Sequence, residues 1–440
     1  MTGDPIFSPL AFRNLTVKNR ILRSSVSGKF DHYDGSGTQV RINWELKFAK
    51  GGVGAIISSF TPISVEGRIL PNFATIDSDE RIPFWRKLAE QVHRYDCQYI
   101  LQLSHAGRQR DIGGIENFPR VPLSSTSRME SVHGLSGQRM TRDQIQKVVR
   151  QFADGARRAR EAGLDGIELH ACHGYLITQF LSSGINDRRD EYGGSLENRA
   201  RFLLEIIRAV RREVGRDFHL QVKINGTDYN NAVFFWHPRG NTIDETVQIC
   251  QWMEQEGVDA VHVSTGSFFP HPLNPPGDFP LEELSHTYGS MLSWGKRAFR
   301  NYILFRYRAL RPLFLLFWNR IKNRPIEGIN LKDSQKIKQR VKIPVLCTGG
   351  FQTASVIRRA IAEGQCDAVT LARPLIANPD LVEIFRRGLD RPERPCTYCN
   401  KCLVNTLEYP VGCYELSRFD GDYERMMKDV LSVFHPPSLD

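Results

Sequence analysis

The chain has 440 residues, 41% hydrophobic and 25% charged, a composition that suits a globular protein with a full core and excludes a fibrous or wholly disordered chain. Its formal charge of +10 would suit a polyanion binder, but residues 284–326 contain no Asp or Glu and nine basic residues, leaving +1 for everything else. A chain-wide nucleic-acid footprint is thereby excluded, and no nucleic-acid partner is expected.

From the amino end, Met1-Thr2-Gly3-Asp4-Pro5 lacks the basic start and apolar run of a secretory signal. No uncharged apolar stretch approaches the ~20 residues needed to cross a bilayer. The nine cysteines are an odd number and read as reduced thiols, so a cytoplasmic protein is expected. Short aliphatic and β-branched runs then alternate with helical patterns. Strands are predicted at 20–25, 55–60, 99–104, 166–171, 220–225, 260–264, 344–348 and 368–372. Helices are predicted near 40–49, 82–96, 142–162, 196–214, 243–256, 331–340, 353–363 and 379–388. The third helix is well marked: Thr141 and Gln144 have capping-box spacing, and Ile145, Val148, Val149, Phe152, Ala156 and Ala159 share a face.

Eight βα units in succession predict an α/β fold, a single (β/α)₈ TIM barrel over residues 1–390. A doubly wound sheet competes, but would place its phosphate-binding glycines after the first strand, whereas Gly349-Gly350 follow the seventh. A long insertion, about 265–330, follows strand six, and a cysteine-containing extension, 391–440, follows the barrel.

Barrel active sites lie at the carboxyl ends of the strands. Those ends supply Ser25, Val26 and Ser27, then Gln102, then His170, His173 and Tyr175, then Lys223, Gly349-Gly350 and Arg373. Two imidazoles three residues apart can converge on one oxygen, and a nearby phenol can deliver a proton. Zinc is the other reading of paired histidines, but no third ligand is evident at nearby spacing.

The segment HACHGYLITQFLSSGINDRRDEYGGSLENRARF at 170–202 resembles the signature of the old yellow enzyme family. LQLSHAGRQ at 101–109, GGVGAIISS at 51–59, CTGGF from 347 and LARPLIANPDL to 381 match in the same order. The resemblance covers about residues 5–390 apart from the insertion. It implies an FMN-dependent NAD(P)H oxidoreductase reducing the activated C=C bond of α,β-unsaturated carbonyl compounds. Ser25, Val26 and Ser27 would line the flavin, Gln102 would bond its pyrimidine edge, and Lys223 would place positive charge near N1. The phosphate would meet the Gly349 and Gly350 amides and the Arg373 fork. His170 and His173 would hold the substrate carbonyl and Tyr175 would donate a proton. Two positions depart from the family: Phe60 stands where a small residue is usual, and Ser27 where Thr or Cys is.

Cys396, Cys399, Cys402 and Cys413 resemble the four-cysteine region of dienoyl-CoA reductase-type relatives, which holds a [4Fe–4S] cluster. A cluster, zinc and metal-free thiols all stay open here. Nine aromatics share residues 284–326 with the nine basic residues. On a helical wheel Arg297, Arg300, Arg308 and Arg311 share one face, with Ala298, Phe299, Tyr302, Phe305, Ala309, Leu310 and Leu313 opposite, and Pro312 should break the helix. The readings for residues 295–324 are contact with a membrane's inner face, a lid or a homo-oligomer contact, with local RNA binding as the least favoured. Functionally, an ene-reductase acting on a hydrophobic enone leads. A dienoyl-thioester reductase using a cluster and a flavin-bearing membrane-associated binding protein without turnover are the alternatives.

Overall fold

The computed structural model describes residues 3–110, 121–130, 132–287, 297–322 and 325–435. Eight parallel strands close into a barrel: β1 (Ile21–Arg23), β2 (Ala55–Ile57), β3 (Gln98–Ser104), β4 (Gly166–Ala171), β5 (His219–Asn225), β6 (Ala260–Ser264), β7 (Val345–Thr348) and β8 (Ala368–Leu371). Closure is carried by Val369, Thr370 and Leu371 of β8 in register with Ile21, Leu22 and Arg23 of β1. Each predicted strand has its counterpart. The first two are shorter than predicted, and beyond their ends Phe60 N donates to Ser27 Oγ at 3.1 Å.

Around the barrel lie α1 (Gln39–Lys50), α2 (Ile82–His93), α3 (Arg142–Glu161), α4 (Leu196–Val214), α5 (Ile243–Gln255), α6 (Leu331–Lys338), α7 (Ala354–Ala362) and α8 (Leu381–Arg386). The α3 capping box is formed from both sides, with Thr141 accepting from Gln144 N and Gln144 accepting from Thr141 N. The predicted apolar face of α3 is the buried one. α2 ends three residues before the predicted boundary, where Asp96 takes a left-handed φ of 48° and turns the chain into β3. The amino end of the barrel is plugged by Leu10, Phe12, Leu15 and Val17, which pack on Leu22, Ile57, Ile100 and Leu346.

The insertion folds into helices Leu281–Thr287, Ala298–Arg306 and Arg311–Lys322. Pro312 sits in the first turn of the last of these, so the chain breaks just before it rather than within a helix. Tyr288, Trp294, Lys296 and Arg324 lie outside the described residues. The amphipathic wheel needs correcting. Ala298, Asn301 and Phe305 face inward, and Ala298 and Phe305 join Leu281 and Leu284 of the insertion and Val404 of the carboxyl-terminal extension in one apolar cluster. Phe299, assigned to the apolar face, points outward and is 65% exposed. The reason is that the extension supplies the partner surface, which no local periodicity records.

That extension is laid along the barrel mouth. Gln352, just after β7, exchanges two hydrogen bonds with the Cys396 backbone at 2.9 and 3.1 Å. Lys401 reaches back to Glu283 of the insertion at 3.1 Å.

Candidate active site

Because alternate residues of a strand face one side, the barrel interior is built in layers. In one layer Lys223 of β5 stands in register with His170 of β4 and His262 of β6. One step toward the amino ends, Glu168 lies between Gln102 and Gln221. Sequence pattern alone singled out only Gln102, His170 and Lys223 from these two layers. Glu168, Gln221 and His262 were missed, although each sits two residues from another polar residue on its strand.

Glu168 is wholly buried and fully engaged. It accepts from Gln102 Nε2 at 2.7 Å and Gln221 Nε2 at 2.5 Å, and Nδ1 of His262 lies 2.7 Å away. Burial alone would raise this carboxyl, but the His262 contact, Lys223 and Gln102 outweigh it and hold it down at about 2. Burial lowers His262 while the Glu168 charge opposes the shift. Its Nδ1 faces the carboxylate, and Nε2 lies 2.6 and 2.8 Å from the Thr348 and Thr370 hydroxyls.

Above these layers the chain leaves β4 through His173 and Gly174, both left-handed with φ of 60° and 75°. A Cβ on Gly174 would fall 2.1 Å from the Ser267 carbonyl oxygen, so only glycine lets the β4 turn and the insertion meet. This turn brings the three predicted side chains together. His170 Nε2 lies 3.4 Å from His173 Nδ1, and the His170 and Tyr175 rings are 4.7 Å apart. Ser104 of β3 and Ser264 of β6 contact the outer nitrogens of the pair at 3.4 and 2.7 Å. Gln109 anchors the turn, donating to the His173 carbonyl at 2.7 Å while accepting from Phe269 N of the insertion at 2.8 Å. Burial, then the adjacent Lys223 charge, pushes His170 down to about 3 and His173 well below its ordinary value. Burial raises the Tyr175 phenol well above its ordinary range. The site is thus a neutral imidazole pair beside a protonated phenol.

Phe60 closes one side. Its ring meets Tyr175 edge-on at 5.0 Å and His170 at 5.5 Å, and Phe73 and Phe269 continue the apolar wall. Contrary to the sequence spacing, a third metal-type ligand is present: the Cys172 sulfur comes within 4.8 Å of both imidazoles. Burial drives that thiol far up, which opposes the thiolate a zinc ion requires.

The predicted cofactor positions fall into two groups around the mouth. Ser25 Oγ donates to Gln102 Oε1 at 3.0 Å, and Lys223 Nζ donates to Ser24 Oγ at 3.0 Å, tying β1, β3 and β5 together. Val26 is half-buried and follows Ser25, while Ser27 holds the Phe60 amide. On the far side, Gly349, Gly350 and Arg373 gather where β7 and β8 end. The Gly350 carbonyl accepts from Tyr398 Oη at 2.5 Å, and Arg373 Nη1 donates to Asn400 Oδ1 at 2.6 Å and the Pro276 carbonyl at 2.7 Å. The Arg373 guanidinium also stacks over Tyr398 at 5.2 Å. The extension thus orients the residues expected to meet a phosphate.

Cys396, Cys402 and Cys413 are buried or nearly so, Cys399 is less so, and all four are free thiols. Arg418 Nη1 donates to Cys413 Sγ at 3.1 Å, and burial, then the Arg373 charge, sets the Cys396 thiol. Among the described residues no three of these sulfurs lie within 4.8 Å of one another.

The chain matches the model of the NADH:flavin oxidoreductase / NADH oxidase family over residues 5–275 and 320–391, the interval left out falling in the insertion. It is 31% identical over 430 residues to an NADH oxidase of Thermoanaerobacter brockii, covering 94% of this chain and 58% of that protein. It is 41% identical over 271 residues to an NADPH dehydrogenase of Geobacillus sp. strain WCH70, covering 60% of this chain and 74% of that one. Among solved structures, a 2-naphthoyl-CoA reductase in complex with 2-naphthoyl-CoA superposes with a TM-score of 0.76 at 25% identity, covering 96% of this chain and 58% of that one. An old yellow enzyme homologue from Zymomonas mobilis superposes at 0.66 and 22% identity, covering 88% and 94%, a likeness of fold. The chain therefore spans under three fifths of the NADH oxidase and the naphthoyl-CoA reductase that it matches along most of its own length. Barrel, motif order and family match agree: this chain belongs to the NADH:flavin oxidoreductase / NADH oxidase family, the old yellow enzyme group.

Proposed function

We propose that the protein is an FMN-dependent NAD(P)H oxidoreductase that reduces the activated C=C bond of an α,β-unsaturated carbonyl compound. The observation that carries this reading is the neutral His170–His173 pair facing a protonated Tyr175, with His170 in register with the buried Lys223.

The residues present fit FMN. Lys223 is a buried cation at the mouth, Ser25 and Gln102 offer paired donors and acceptors beside it, and Arg373 with the Gly349-Gly350 turn provides the donor set of a phosphate site. Ser25, Val26, Ser27, Gln102, Lys223, Gly349, Gly350 and Arg373 would hold it. Bound there, FMN would supply hydride transfer from a reduced nicotinamide to an activated alkene.

The chain's own residues do the rest. His170 and His173 each donate an N–H toward the substrate carbonyl oxygen, stabilising the negative charge that grows on it. Neutral imidazoles suit this task, since neither needs to gain or lose a proton. Tyr175 donates its phenolic proton to the α-carbon. Phe60, Phe73 and Phe269 exclude water and favour an apolar substrate body. The test is anaerobic: the reduced protein, mixed with a series of cyclic and aryl enones, should be reoxidised by them, and failure with every enone would reject the reading.

A second reading, a reductase of unsaturated thioesters using a [4Fe–4S] cluster on Cys396, Cys399, Cys402 and Cys413, is favoured by one observation. Guanidinium groups lie beside these thiols: Arg418 Nη1 is 3.1 Å from Cys413 Sγ, and the Arg373 charge acts on Cys396.

A further inference from the structure

The insertion presents an outer face that the proposed redox chemistry does not use. Along helix Ala298–Arg306 and into the next helix, Phe299, Ile303, Tyr307 and Leu316 are 65%, 46%, 61% and 71% exposed. They alternate with the exposed Arg300, Arg306 and Arg308. An aliphatic and aromatic row this open is unusual on a water-facing helix, and here it is interleaved with cations.

Cations outnumber acids along this face. Residues 284–326 hold no Asp or Glu; of the flanking carboxylates, Glu282 pairs with Arg311 at 2.8 Å and also lies near Arg308, while Glu283 pairs with Lys401 at 3.1 Å and Glu327 bonds Thr353 at 2.8 Å. The insertion leaves the carboxyl end of β6, the end of the barrel where the site lies. The loop after neighbouring β5 leaves the same end and exposes Phe235 and Trp236, 83% and 66% open.

We infer that this outer face docks on an anionic phospholipid bilayer, with Phe299, Ile303, Tyr307 and Leu316 entering the headgroup boundary and Arg300, Arg306 and Arg308 meeting the phosphates. Charge complementarity selects this occupant. A second copy is disfavoured because a two-fold contact would set the same basic patch against itself. Single-stranded RNA would stack on rings, but Ile303 and Leu316 offer no π-face, and the rest of the chain, at +1, provides no basic track. The inference stands whether or not the enone reading holds.

The full chain is sedimented with vesicles of phosphatidylcholine alone and with vesicles that also contain phosphatidylserine. It should pellet with the second kind only, and less as salt rises. The exposed pair Arg306→Gln/Arg308→Gln should weaken partitioning about 25-fold, roughly fivefold for each cation. Phe299→Ser/Ile303→Ser/Tyr307→Ser should abolish pelleting while leaving the thermal midpoint within a few degrees of wild type. Four outcomes would overturn the inference: no pelleting with anionic vesicles, equal pelleting with both vesicle types, pelleting retained in the triple variant, or a self-association or oligonucleotide shift that the triple variant loses in place of vesicle binding.

Discussion

Oε2 of Glu168 lies 2.7 Å from Nδ1 of His262, so the barrel is organised around a buried anion rather than an apolar plug. Gln102 and Gln221 complete its coordination, and Lys223 supplies the compensating charge one layer nearer the mouth. One amide of this set, Gln102, is also expected to meet the flavin, so the anion fixes which way that amide faces.

Replacing Glu168 by Gln should therefore cost more than one hydrogen bond. Three donors would converge on a group that can accept only through one oxygen, and Lys223 would lose its nearby counter-charge. Removing one member of a buried ionic set typically costs about 3–5 kcal/mol. The expected outcome is a lowered urea midpoint together with FMN affinity weakened at least tenfold, read by fluorescence titration. An unchanged midpoint and affinity would show that the carboxylate does not organise the interior.

Acid should destabilise the fold in a defined order. The folded pKa of His170 lies near 3 against 6.5 for a free imidazole, so the unfolded chain takes up the proton first. This contribution is present above 6.5 and fades as pH falls toward 3. Glu168, at about 2 against 4.5, adds a loss that begins below 4.5. The thermal midpoint should fall gradually from pH 6.5 and then more steeply below 4.5, and E168Q should make the second phase shallower, with Glu130, also held at about 2, contributing to what remains. Enone turnover, by contrast, should show no break near pH 6.5, because His170 remains neutral; a break there would mean that an imidazole of the site titrates.

Tyr175→Phe keeps the ring packed on Phe60 and His170 and removes only the proton. Alkene reduction should slow about 100-fold or more, within the range for loss of a general acid. Reduction by NAD(P)H, followed separately by stopped-flow absorbance, should be unaffected. Equal losses in both half-reactions would remove Tyr175 from the proton-transfer step.

Phe60→Ala opens the wall beside the histidine pair. A buried Phe→Ala change costs about 3–5 kcal/mol where the space does not collapse. Turnover should extend to enones with a larger substituent, read as a fall in KM for bulky over small substrates. A KM ratio unchanged from wild type would mean that Phe60 does not bound the substrate.

The extension is checked by iron and acid-labile sulfide analysis after anaerobic purification. Both should be present in wild type and absent from Cys402→Ser, whose side chain lies among the other three. Zinc in their place would reject the cluster.

Much of this was legible in the sequence, and the limits are physical. The strands were readable because a parallel barrel buries each one on both sides, giving short β-branched runs. His170, His173 and Tyr175 could be picked out as a group because they follow one strand end, and the structure brings their side chains together. Glu168 and His262 were not, since their meaning depends on register between strands far apart in the chain. Phe299 was assigned to the wrong side for a related reason: the surface that Ala298 and Phe305 pack against includes Val404, a hundred residues further on.

The grip of Asn400 on Arg373, and of Tyr398 on Gly350, has a practical consequence for anyone dissecting this protein. Trimming the chain after its last barrel helix would not liberate a minimal catalytic core. It would strip a wall from the chamber proposed to seat the ribityl phosphate, so fragments ending near residue 390 should be poor receptors for the coenzyme even if the barrel itself folds.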